Sequence, residues 1–218
     1  MQDYAVLRDT MIESQVRTVD VPNTRIHAAL RAVPRERFVP AAKKTVAYAD
    51  TAIEVAPGRF LLDPRTFSKL LSLADPQPSE RVLDVGCATG YSSAVLAQMA
   101  ASVVALEQDA DLLRVAAEML PAVGAKNALA TQGALVEGHK AGGPYDVIVV
   151  EGAIQQVPDA LLAQLAEGGR LVAVLQDASA MGRAHIFTRQ NGVVGSRADF
   201  DAAAPILAGF RKVVGFVF

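Results

Sequence analysis

Residues 82–91 read Val-Leu-Asp-Val-Gly-Cys-Ala-Thr-Gly-Tyr, an apolar strand running into a turn of small residues, and no other stretch constrains the fold as much. Val82, Leu83 and Val85 fit a short buried strand. Gly86 to Gly90 let the backbone turn sharply and come close to a ligand. Tyr91 then starts a helix, expected over 91–100, whose first amides face the same ligand. A second strand, 103–107, ends on Glu107 roughly 20 residues after the turn, where a carboxylate can accept hydrogen bonds from both hydroxyls of a ribose. Strand, glycine turn, helix and terminal acid together point to an adenosine-containing cofactor, with Gln108 following Glu107 at the same sheet edge.

The details of the turn narrow the cofactor. A dinucleotide loop wants G-x-G-x-x-G/A, whereas this one reads Gly86-Cys87-Ala88-Thr89-Gly90-Tyr91. A tyrosine at the last small position pushes the helix away from a pyrophosphate. Asp84, two residues before the first glycine, opposes a diphosphate and suits a ligand carrying an ammonium and a sulfonium. The pattern Asp84-x-Gly86-x-Ala88-x-Gly90 resembles motif I of class I S-adenosylmethionine-dependent methyltransferases, with Ala88 in place of the middle glycine.

The rest of the chain alternates helical and strand patterns, which signals a parallel sheet. Apolar residues recur at helical spacing over 4–16 and 23–33, and Pro22 is placed to start the second of these helices. Asp63 followed by Pro64 predicts an N-cap and a helix through residue 73, with Phe67, Leu70 and Leu71 inward. A helix over 109–123, a strand over 128–131 and a strand over 145–150 follow. The last of these leads into Glu151, at the carboxyl edge where open α/β sheets bind ligands. A helix over 158–165, a turn at 167–169 and a strand over 170–175 come next, then strands near 185–188, 193–199 and 213–217. The expected architecture is an α/β, Rossmann-like class I methyltransferase fold: a mixed seven-stranded sheet with helices on both faces and an N-terminal helical lead. With 218 residues, 51% of them hydrophobic, the chain suits one domain over 1–218. Within it, 1–75 form the lead and substrate-side segment, 76–175 the cofactor-binding core and 176–218 a β-rich tail.

Several classes fall away. The formal net charge is −2 and no basic run tracks a phosphate backbone, so nucleic acid is not an expected partner. No apolar stretch approaches a membrane span and the start lacks a signal-peptide pattern, so a cytoplasmic location is expected. The single cysteine, Cys87, and the scattered His27, His139 and His185 offer no metal-ligand spacing. A G-x-S-x-G elbow and a Walker lysine are both absent.

The lead adds a narrower resemblance. Met11-Ile12-Glu13-Ser14-Gln15, the run 33–40 (Val-Pro-Arg-Glu-Arg-Phe-Val-Pro), 47–50 (Ala-Tyr-Ala-Asp), Gly143-Pro144-Tyr145-Asp146 and Gly168-Gly169-Arg170-Leu171-Val172 resemble the protein-L-isoaspartate O-methyltransferase family over about residues 5–175. The resemblance implies S-adenosyl-L-methionine as cofactor and a protein or peptide substrate whose isoaspartyl carboxylate takes the methyl group, the ester then collapsing to a succinimide. It implies a cofactor set of Asp84, Gly86, Cys87, Ala88, Gly90, Tyr91, Glu107, Gln108, Ala134, Leu135 and Glu151. Two departures stand out. The family's Gly-Gln-Thr-Ile-Ser-Gln-Pro is here Gly58-Arg59-Phe60-Leu61-Leu62-Asp63-Pro64, so Leu62 stands at the active-site serine position; Asp63 and Arg59 are the remaining substrate-side candidates, and Arg65 lies just beyond. The family's Gly-Asp-Gly is here Gly133-Ala134-Leu135, without its acid. A related methyltransferase with another, small or less polar acceptor and a non-catalytic cofactor-binding protein are the alternative expectations.

Overall fold

The computed structural model describes residues 3–176 and 181–211. A seven-stranded sheet forms its centre, built from β3 (Arg81–Val85), β4 (Ser102–Glu107), β5 (Ala128–Gln132), β6 (Tyr145–Ile154), β7 (Leu165–Leu175), β8 (Arg183–Gln190) and β9 (Val193–Asp201). The order is β5-β4-β3-β6-β7-β8-β9. The first five of these strands run parallel, and β8 and β9 add an antiparallel meander at one edge. The expected mixed seven-stranded sheet is present; the strand read at 213–217 lies outside the described residues.

Alternation along the central strands separates the two faces. Val82, Val147, Val149 and Val172 belong to one buried cluster, and their neighbours Leu83, Ile148, Val150 and Leu171 to the other, as a period of two requires. Helical cover is unequal. The first cluster takes residues from α1 (Tyr4–Met11), α2 (Thr24–Ala32), α3 (Pro64–Ala74), α4 (Tyr91–Ala97) and α5 (Ala110–Ala122). The second is covered by α6 (Asp159–Leu162) and by Leu207 and Phe210 from the end of the described chain.

Local chemistry explains the helix starts. Asp63 Oδ1 accepts from Thr66 N at 2.8 Å with Pro64 at the first helical position, and Asp109 Oδ1 accepts from Asp111 and Leu112 amides, both in the manner of an N-cap. Several boundaries differ from the sequence reading, among them β6, which runs on past 150 to Ile154 and so takes in Glu151. The lead helix changes to π geometry over Ile12–Val16, and α4 stops at Ala97 instead of 100. α6 is a single turn, and β7 already begins at Leu165, pairing with Tyr145 before a register shift. A two-stranded hairpin, β1 (Ile53–Ala56) and β2 (Arg59–Leu61), was not expected at all. Its signal is the Pro57-Gly58 step, with Gly58 at φ +69°, a turn pair between two short apolar runs.

After β9 the chain returns to the centre. Ala153 N donates to Pro205 O at 2.9 Å and Leu207 N to Ala153 O at 2.8 Å, a parallel bridge that lays residues 205–210 across the carboxyl end of β6.

Candidate functional site

The carboxyl ends of β3, β4 and β6 converge on the glycine turn. Gly86, Ala88 and Gly90 all have positive φ, at +83°, +51° and +95°. Ala88 therefore occupies a conformation that disfavours a side chain by about 1–2 kcal/mol, and the bond from its amide to Glu107 Oε2 at 2.9 Å helps hold it there. A Cβ on Gly90 would meet Ala116 Cβ at 3.2 Å, so the start of α4 comes close to α5 at that glycine. Tyr91 turns toward the lead, 5.7 Å from the ring centroids of Phe38 and Phe67 and beneath the Arg35 guanidinium at 4.7 Å. Cys87 is buried, which pushes its thiol well above the ordinary value. A neutral, enclosed thiol is a spacer in the turn and not a nucleophile.

Three acids line this edge. Asp84 is fully buried; its Oδ2 accepts from Ser92 Oγ at 2.6 Å and from Ser93 Oγ, whereas its Oδ1 has no hydrogen-bond partner among the described residues. Burial chiefly, with Glu107 adding and the two serines opposing, pushes Asp84 up to about 6. Glu151 lies in β6, with Oε1 also unpartnered among the described residues. Burial first, then Asp84, raises it well above the usual carboxylate value, with Arg35 opposing. Two enclosed carboxylates with orphan oxygens are costly unless a cation or a proton joins them. The donor set thus fits the positively charged end of S-adenosyl-L-methionine.

These raised values fix a sign. An acid whose folded value lies above its unfolded one favours folding at low pH, and that contribution is lost as pH rises through the folded value. Asp84 thus makes the fold about 1 kcal/mol less stable at pH 7 than at pH 5, since a tenfold difference in proton affinity between the folded and unfolded chain corresponds to ~1.4 kcal/mol once the group is ionised. Glu151 acts in the same direction. Urea unfolding of the wild type and of Asp84→Asn across this range checks it: the wild type gains about 1 kcal/mol relative to the variant between pH 7 and pH 5. A relative stability that is flat, or that falls for the wild type on acidification, contradicts it.

Glu107 closes β4 and is fully buried. The Arg59 guanidinium grips it bidentately, Nη1 to Oε1 at 2.5 Å and Nη2 to Oε2 at 2.6 Å, and also donates to Gly86 O at 3.2 Å. The Gln108 and Asp109 amides add bonds of 2.8 and 3.0 Å to Oε1. Arg59, expected on the substrate side, is 5% exposed and turned inward to Glu107. The default reading of an arginine as a surface residue fails because a buried partner 48 residues away compensates its charge.

The other substrate-side candidates are separate from this grip. Asp63 spends its carboxylate on capping α3. Arg65 is half exposed, 3.4 Å from Asp50. Leu62 is buried, its carbonyl accepting from Arg35 Nη2 at 2.7 Å. Gln108 and Ala134 are exposed, and Leu135 is buried beside Leu106, Leu207 and Phe210. Two participants were missed by the sequence reading: Arg35, which sits in a charged run that reads as solvent-facing, and Leu207, which carries no motif. The void among Arg35, Phe60, Leu62, Gly86, Cys87 and Glu151 measures about 10 Å³, at the threshold for one water. A larger groove of about 390 Å³, lined by Phe38, Val39, Val55, Thr89, Asp109 and Leu112 among others, includes neither Glu107 nor Glu151 in its wall. Among the described residues there is no cluster of metal-ligating side chains and no helix long and apolar enough to cross a membrane.

Comparison with known proteins identifies the family and the fold. The sequence profile described as Protein-L-isoaspartate(D-aspartate) O-methyltransferase matches residues 7–201. The chain is 35% identical to Protein-L-isoaspartate O-methyltransferase 2 of Shewanella sediminis over 171 residues, covering 78% of this chain and 70% of that protein. It is 37% identical over 169 residues to the protein-L-isoaspartate O-methyltransferase of Koribacter versatilis, covering 78% and 76% of the two chains. Among solved structures, one protein-L-isoaspartate O-methyltransferase superimposes with a TM-score of 0.82 at 22% identity, over 93% of this chain and 66% of that one. A Plasmodium falciparum protein crystallised in complex with S-adenosyl-L-homocysteine superimposes with a TM-score of 0.79 at 19% identity, over 95% and 99%. At these identities the two superpositions establish the fold.

Proposed function

The chain belongs to the protein-L-isoaspartate O-methyltransferase family, and from that membership together with the site we propose that it moves a methyl group from S-adenosyl-L-methionine to the isoaspartyl carboxylate of a protein or peptide. The observation that carries this reading is the pair of buried carboxylates, Asp84 and Glu151, with orphan oxygens beside the Gly86–Gly90 turn. They suit a ligand that brings a cation into a glycine-lined strand end. When bound, the cofactor supplies an electrophilic methyl on a sulfonium. Asp84 and Glu151 would hold its charged end, the backbone of Gly86, Cys87, Ala88 and Gly90 its near edge, and Glu107 the ribose hydroxyls. Gln108, Ala134 and Leu135 would border its adenine.

An isoaspartyl carboxylate is ionised at neutral pH, so its attack requires no general base from the protein. What the chain must provide is alignment and exclusion of water. Phe60 and Leu62 exclude water but donate nothing, and the family resemblance puts Leu62 where a serine would orient the acceptor. A second reading rests on the apolar wall of Phe60, Leu61 and Leu62 beside the void, which favours a less polar acceptor. The proposed compartment is the cytoplasm.

The test is transfer of radiolabelled methyl to an isoaspartyl peptide beside its aspartyl twin. Base-labile label on the isoaspartyl peptide alone is expected, and Leu62→Ser is expected to raise it about 5- to 150-fold, the equivalent of one oriented donor worth ~1–3 kcal/mol. Unlabelled peptide with both proteins, while cofactor binds, would shift the assignment to the less polar acceptor.

A further inference from the structure

Glu107 has no acceptor capacity left for a ribose. A carboxylate offers about four lone-pair sites, and Arg59 Nη1, Arg59 Nη2 and the amides of Ala88, Gln108 and Asp109 already direct five N–H groups at it. The other side of the turn is filled as well. A Cβ on Gly86 would lie 3.1 Å from a Leu207 methyl and 3.5 Å from Arg59 Nη2, and one on Gly152 would lie 3.2 Å from Leu207 Cβ. Phe210 packs in the cluster that contains Leu135, and Gly209 approaches Val136, so the same segment covers the turn after β5. Among the described residues, the void that touches Gly86, Cys87 and Glu151 measures about 10 Å³, against the ~300–1,000 Å³ of a pocket that takes a small molecule.

We propose that Arg59 and residues 205–210 are an internal occupant of the cofactor site, so that S-adenosyl-L-methionine or S-adenosyl-L-homocysteine enters only when Arg59 leaves Glu107 and Leu207 leaves Gly86. This rests on the cofactor reading above and adds to it the residues that set cofactor affinity. The closed form is the ground state: the guanidinium and the ribose compete for one carboxylate, and Leu207 covers the glycine along which the ligand must lie. Apparent affinity is the intrinsic affinity reduced by the fraction of molecules in the open form. Among the described residues the segment is held by the two Ala153 bonds, by Gln155 N donating to Phe210 O at 3.2 Å and by apolar contact, so it can lift without unpairing any strand of the central sheet.

Calorimetric titration of S-adenosyl-L-homocysteine into the full chain and into Arg59→Gln tests the proposal without relying on turnover. Glu107 keeps three backbone donors in this variant, and binding at least about tenfold tighter than wild type is expected. Leu207→Ala opens the cleft from the other side without touching the ion pair and is expected to tighten binding in the same direction. In the wild type, saturating ligand should accelerate hydrogen exchange at the Ala153 and Leu207 amides, whose bonds to Pro205 O and to Ala153 O must break. Equal affinity in all three proteins with unchanged exchange overturns the proposal and leaves the methyltransferase reading standing. Absence of binding to all three, each melting cooperatively, overturns the cofactor reading and this proposal with it.

Discussion

Glu107→Ala lowers the stability of the fold by about 4 kcal/mol, the cost of leaving a buried cation without its counter-charge. Arg59 would keep its guanidinium in a site where it is 5% exposed and where its Nε already lacks a partner among the described residues. The amides of Ala88, Gln108 and Asp109 would lose their acceptor together with it. For a chain of this size that corresponds to a fall in melting temperature of roughly 8–16 °C. Urea unfolding with an unchanged m-value is the measurement, and Glu107→Gln, which keeps the shape and some of the bonds, should fall between. A loss under about 1 kcal/mol would mean that Arg59 is solvated in solution, which would also remove the basis for a self-filled site.

Arg35→Ala is the second large effect, of about 3–5 kcal/mol. Arg35 is 1% exposed and has no carboxylate within ion-pair distance among the described residues. Its bonds go to carbonyls instead, Nε to Ala47 O at 2.8 Å and Nη2 to Leu62 O at 2.7 Å, while its plane lies over Tyr91. The side chain therefore fastens the lead to the β2–α3 connection and to the first residue of α4. Truncation orphans two buried carbonyls and opens a large cavity. Arg35→Lys should recover less than half of the loss, because one ammonium on a flexible stem cannot span both carbonyls and stack on the ring. Thermal melts of the three proteins decide it; a lysine variant equal to wild type would show that charge alone matters here.

What the sequence makes legible and what it hides divide along a physical line. Motif I, its terminal acid and the parallel core were legible because strand alternation, glycine turns and N-caps are written within a few residues of each other. The hairpin turn Asn191-Gly192, with φ of +51° and +77°, is of the same local kind. Arg59, Arg35 and Leu207 were not legible. Each acts through a partner far along the chain, and each belongs to a type whose default reading, a solvated cation or one more apolar residue, is correct at most positions. The expected helices stop at Ala97 and Leu162, because apolar periodicity marks which face is buried and not the residue at which the helix ends.

The turn that joins β8 to β9 has a chemical consequence of its own. Asn191 is followed by glycine, the neighbour that least hinders a backbone nitrogen from closing on the asparagine side chain with loss of ammonia. The succinimide so formed reopens largely to the isoaspartyl linkage, the substrate class proposed for this site. Here the Gly192 amide is occupied by Glu167 Oε2 at 3.1 Å, and the Asn191 amide by the other oxygen of the same carboxylate. Ageing at that step must first surrender a hydrogen bond, so the lifetime of the protein's most alterable asparagine is set by a glutamate on the neighbouring strand. Peptide mapping after mildly alkaline storage would show Glu167→Ala deamidating at Asn191 ahead of the wild type.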